Sequence, residues 1–341
     1  MWLFVEGGSS SGKTTIVIEA LRALPKTRLM GSLTENTFLS GYGKNKKGKE
    51  FSLLHEIGAS GLLLFKDFTT FLSRRKETKI EIASQLREIY DGEFYKDTGG
   101  SKRLLWAGKI TIIAAVTHAI EREWLIMRDM GERFLTVRWP RGDGREQARR
   151  ARNQRKHIKD IKDGIRTLTT EFVDHATLKS ASFKSDEDAN VLDYLCEVVA
   201  TLRSSVQWDW RSRQIDSVTE PEGTGRVSLA LTNMACASAA LFRRTYVEED
   251  DLKLVRRVAM DSIPMNRETV FRFLLKNKSG ATLHEISGAT NTFYAETLKA
   301  AQELGALGAI DLDMDGTPFA EVTSYFRQLA RKAGLDNASK K

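Results

Sequence analysis

Residues 7–14 read Gly-Gly-Ser-Ser-Ser-Gly-Lys-Thr, which fits the spacing G-x-x-x-x-G-K-[ST] without a gap. The residue types suit one task, the holding of phosphate. Gly7, Gly8 and Gly12 let the backbone curl until its N–H groups converge, with Ser9, Ser10 and Ser11 completing the loop. Lys13 would reach the β- and γ-phosphates as a point charge. The Thr14 hydroxyl would ligate Mg2+, and Thr15 closes the set. The spacing therefore predicts a site for ATP with Mg2+. Such a loop works only between a strand and a helix. An apolar run over residues 2–5 predicts the strand, and apolar periodicity over residues 16–24 predicts the helix, whose positive dipole end adds to the attraction.

The rest of the composition narrows the partners. At 341 residues the chain has room for two or three domains with their own cores. Two cysteines, Cys196 and Cys236, form neither a disulfide framework nor a zinc set, which points to a reducing cytoplasm. No apolar run is long enough to span a membrane, and the first apolar residues lead straight into the loop, so neither a membrane span nor a signal peptide is expected. A net charge of +8 favours nucleic acid as a partner. The five histidines are scattered and suggest neither a metal site nor a Ser-His-Asp arrangement.

Along the chain, TRLMGSLTE predicts a second strand. The polar stretch 40–50 is a loop, either solvated or facing nucleic acid. Residues 62–65 form an unbroken apolar run, as a buried parallel strand should, and Asp67 is the only acid just past its end. An acid placed there holds Mg2+ or orients the attacking water. A helix over residues 78–90 precedes a β-hairpin, residues 91–109, turning at Gly99-Gly100 and carrying Lys96, Lys102, Arg103 and Trp106. KITIIAAVTH is the next buried strand and ends at Thr117. After a helix near residues 120–127, GERFLTVRWP supplies Arg133 and a further strand.

From residue 141 the chain turns basic and helical, with a run that is either a solvated face or a nucleic-acid contact. Everything to about residue 262 reads as helix with polar breaks. Arg226 opens one of these helices, and the acids of VEEDD open another. The tail reads helix, helix, helix, then two strands turning at Asp315-Gly316, then a last helix. That order predicts a winged helix.

Taken together, these features resemble an AAA+ ATPase, most closely the minichromosome-maintenance-type helicase ATPases and the replication ATPases of phages and mobile elements. The expected fold is α/β: a P-loop AAA+ core over residues 1–140, a helical lid with the basic segment over 141–262, and a winged-helix domain over 263–341. The resemblance places Thr117 at sensor 1, where asparagine is usual, Arg133 at the arginine finger and Arg226 at sensor 2. It also implies a homo-hexameric ring acting on DNA, because a finger working in trans demands a neighbour.

Two features depart from that family. Its paired Asp-Glu is here Lys66-Asp67, so Asp67 aligns either with the water-polarising glutamate or with the magnesium aspartate. Glu35 is the next acid to consider. The family's N-terminal DNA-binding collar does not precede the loop, which implies a minimal version or a separate partner protein. Two functions stay open: an ATP-driven DNA helicase or translocase with the hairpin gripping the strand, or a nucleotide switch, loader or regulator in which the winged helix and its Lys299 dominate.

Overall fold

The apolar strand that leads into the loop is an inner strand of a parallel sheet. The computed structural model describes residues 1–9, 11–40, 52–98, 102–123, 133–140, 142–176, 180–209, 211–221 and 223–336. The chain divides into two units, Met1–Ala176 and Thr177–Lys341.

In the first unit, β1 (Trp2–Glu6) lies between β6 (Lys109–Val116) and β7 (Phe134–Arg138), parallel to both. Beyond β6 come β3 (Ser60–Phe65) and β2 (Thr27–Met30), giving a five-stranded, all-parallel sheet in the order β2-β3-β6-β1-β7. Apolar residues on both faces of β1 and β6 suit strands that are covered by helices on either side. Trp2 and Phe4 point to one face and meet Phe134, with Phe4 and Phe134 stacked at 4.0 Å between centroids. Phe68 and Phe71, entering α3 (Thr69–Leu72), and Ile82, Leu86 and Ile89 of α4 (Lys76–Asp91) complete this core.

The expected hairpin pairs as β4 (Glu93–Thr98) with β5 (Lys102–Ala107). Its turn lies outside the described residues, as do the 41–50 stretch, residues 124–127 of the expected helix and Gly131-Glu132 of the GERF motif. Alternation puts Phe94, Leu104 and Trp106 into the core, beside Leu54 and Ile57 of α2 (Leu53–Ile57). Lys96 shares that inward face and donates to the Glu35 carbonyl at 2.9 Å and to Asn36 Oδ1 at 2.6 Å. Arg103 lies on the opposite face, exposed and over the Tyr95 ring at 4.6 Å. Lys96 and Arg103 thus lie on opposite faces of the hairpin.

The helix after the loop begins with a π turn, Thr14–Ile18, and continues as α1 (Glu19–Leu21). The basic segment forms α5 (Gly144–Gln154), capped by the Asp143 side chain, and α6 (Ile158–His175). Arg166 on α6 reaches the buried Glu19 on α1, with its Nη2 2.5 Å away, so this segment packs on the helix that follows the loop.

The second unit contains α7 (Asp186–Leu202), α8 (Gly225–Leu241), α9 (Glu249–Asp261), α10 (Met265–Lys276), α11 (Leu283–Thr290), α12 (Tyr294–Ala306) and α13 (Ser324–Lys332). Strands β10 (Ala281–Thr282), β11 (Ile310–Asp313) and β12 (Phe319–Val322) form a small antiparallel sheet. Gly316 turns the β11–β12 connection at φ 76°. A hairpin, β8 (Val206–Trp208) with β9 (Ile215–Val218), interrupts the stretch expected to be helix only. Its strands are too short, and bulged at Gln207, to show a clear period of two. No described helix is long and apolar enough to cross a membrane.

Candidate nucleotide site

The loop opens at the C-terminal edge of the sheet, where chain order reverses around β1. Gly7 N donates to the Val116 carbonyl at 3.1 Å, so the loop begins by pairing with the end of β6. Gly12 takes φ +86°, a conformation a side chain would strain, and hands the chain into the helix. Ser11 N bonds the Gly8 carbonyl across the loop. Trp139, just past β7, roofs it: its indole Nε1 donates to the Ser11 carbonyl at 3.1 Å, and a Cβ on Gly7 would stand 3.0 Å from the Trp139 Cβ. Ser10 lies outside the described residues.

Lys13 is turned back into the loop, its ammonium donating to the Gly7 and Gly8 carbonyls at 2.8 and 2.9 Å. Burial pushes its pKa below the ordinary lysine value, and the nearby Asp67 carboxylate offsets part of that. Asp67 is exposed, with Oδ1 accepting from Thr69 N at 2.9 Å to start α3. The Thr14 hydroxyl lies 3.5 Å from the Lys66 carbonyl. Loop, Thr14 and the Lys66-Asp67 corner therefore converge. That donor set, one hydroxyl and one carboxylate open to solvent, fits Mg2+, which keeps several waters and takes the rest of its ligands from phosphates.

Thr117 follows β6, the strand standing between those of Lys13 and Asp67, and is half-buried. Three other expected residues fall elsewhere. Arg133 was expected to reach into a neighbouring subunit as a finger. It stands at the N-terminal edge of the sheet, away from its own loop, with its side chain 4 % exposed, donating to Asp91 at 2.8 Å and lying over the Tyr90 ring. Within its own unit this guanidinium is therefore buried against α4 as an ion pair. Glu35 lies in a turn beyond the end of β2, held toward α4 by accepting from the Thr78 hydroxyl at 2.9 Å, and β3 and β6 lie between β2 and β1. Arg226 opens α8 in the second unit, exposed and without an ion pair among the described residues.

Four residues at this edge escaped the sequence reading: Glu6, His118, Arg138 and Trp139. Glu6 carried the one available signal, a charged residue ending an otherwise apolar strand. Its carboxylate is 2 % exposed, with His118 Nδ1 at 2.9 Å and Arg138 Nε at 3.5 Å. No protein-family model matches the chain, and no curated protein matches it.

Proposed function

We propose that this chain is an AAA+-type ATPase that acts on DNA. The observation that carries the proposal is the convergence of Lys13, Thr14 and Asp67 at the sheet's C-terminal edge, with Thr117 ending the strand between them. In this reading the loop's N–H groups and Lys13 hold the phosphates, and Thr14 with Asp67 holds Mg2+, which neutralises charge on the transferring phosphoryl group. Thr117 hydrogen-bonds water or the γ-phosphate. The second unit supplies a helical lid bearing Arg226 and a winged helix, α10 to β12, in which α12 carries Lys299. The basic helices α5 and α6 and this module are the DNA-facing candidates.

Of the two forms of that activity, the engagement of Arg133 and Lys96 favours the nucleotide switch, a loader or regulator, over the ring-forming helicase. Each of the two is bonded within the first unit. A homo-hexameric ring rests on the resemblance alone, and sedimentation with ATP tests it. The deciding experiment measures ATP turnover with and without single-stranded DNA, followed by strand displacement on a forked duplex. Turnover without displacement supports the switch, and displacement restores the motor. No nucleotide binding in either case removes the proposal.

A further inference from the structure

Asp67 is the only acid at the end of β3, and as a Mg2+ ligand it would leave no carboxylate there to receive a proton from water. The Glu6–His118 pair stands close by. Glu6 and Val116 are register partners in β1 and β6, and Gly7 N bonds the Val116 carbonyl, so His118 emerges beside the loop's first residue. On the other side, Phe68 N donates to the Ala115 carbonyl at 2.9 Å and ties the segment after Asp67 to the same strand. His118 thus leaves the strand that separates Lys13 from Asp67.

The pair is built to fix a tautomer. An ionised carboxylate only accepts, so in the neutral imidazole the 2.9 Å contact puts the proton on His118 Nδ1 and leaves the Nε2 lone pair available. Arg138, 3.5 Å from the second Glu6 oxygen and 3.7 Å from Glu121, sets a positive charge beside the buried carboxylate. The imidazole itself is 54 % exposed, and among the described residues Nε2 makes no hydrogen bond. A buried acid orienting an accessible imidazole is the arrangement by which a histidine becomes a general base.

We propose that His118, oriented by Glu6, takes the proton of the attacking water in nucleoside triphosphate hydrolysis. The assignment rests on the ATPase reading above. As the water oxygen bonds to the γ-phosphorus, the bond from that phosphorus to the β,γ-bridging oxygen breaks, and its electron pair leaves with the diphosphate. The water's proton passes to Nε2. The resulting imidazolium is stabilised by Glu6 and returns its proton to solvent after product release.

The test is single-turnover hydrolysis of saturating ATP by the full chain, wild type against His118→Ala and His118→Gln, with affinity read by a fluorescent ATP analogue. Removal of a general base should slow hydrolysis about 100-fold in both variants while the affinity stays unchanged. Added imidazole should restore part of the rate in His118→Ala, a response that a purely structural histidine would not give. Wild-type hydrolysis in His118→Ala, or a loss that imidazole leaves untouched, overturns the assignment alone. A wild-type chain that binds no ATP overturns the ATPase reading with it.

Discussion

The Lys13 ammonium lies 2.8 and 2.9 Å from two carbonyls of its own loop, a geometry that aims its charge at the loop's mouth. Because its contacts are to loop backbone and not to the core, Lys13→Ala should leave the melting temperature nearly unchanged. It should weaken ATP binding about 10- to 100-fold, the size of one lost charge-assisted contact, as fluorescent nucleotide titration would show. Asp67 is the second residue whose role one substitution decides. Asp67→Asn should lower affinity for Mg2+-ATP while affinity for metal-free ATP holds, since the amide is a poor Mg2+ ligand. Equal affinity with lost turnover would assign Asp67 to water instead.

Two ion pairs act between elements. Arg133 joins the start of β7 to the end of α4, buried at its own end and solvated at Asp91, which is 56 % exposed. Arg133→Ala should therefore cost about 1–3 kcal/mol of stability by urea denaturation and leave nucleotide affinity intact. A variant with unchanged stability but no hydrolysis would support a finger acting in trans. Glu19 joins α1 to α6. Burial pushes its carboxyl up, but the Arg166 hydrogen bonds, with the charges of Arg22, Arg166 and Lys162, carry it below the ordinary value of 4.5. A carboxylate whose folded pKa is depressed contributes stability above its unfolded pKa and loses it as pH falls through the folded one. The melting-temperature gap between wild type and Glu19→Gln should thus be widest at neutral pH and close in acid.

At the scale of the molecule, the first unit has its own aromatic core around Trp2, Phe4, Phe68 and Phe134. The second packs α7 against α8 and α13, and α10 against α12. Residues 1–176 expressed alone should fold cooperatively and bind ATP with near-wild-type affinity, because the loop, Lys13, Thr14, Asp67 and Thr117 all lie within them. Turnover should fall in that fragment and in Arg226→Ala alike if Arg226 acts on the γ-phosphate. Full turnover in the fragment would show that the second unit has no part in hydrolysis.

The elements that depend on local pattern were legible in the sequence. The loop spacing, the apolar runs of β1, β3 and β6, the period of α4 and the acidic start of α9 each state their own structure within a few residues. The order of the strands, with β6 between β1 and β3, was not legible, because strand adjacency is set by packing between distant segments. The same limit governs single side chains. Arg133 has the same local sequence whether it meets a neighbour or Asp91, and Lys96 whether it faces a channel or the Glu35 carbonyl, 61 residues away. His118 looked like one of five scattered histidines until the parallel register of β1 and β6 brought it to Glu6 across 112 residues. Spacing along the chain determined which residues could hold phosphate, and tertiary structure decided which charges were left to act, since a buried charge must find its partner wherever the fold supplies one.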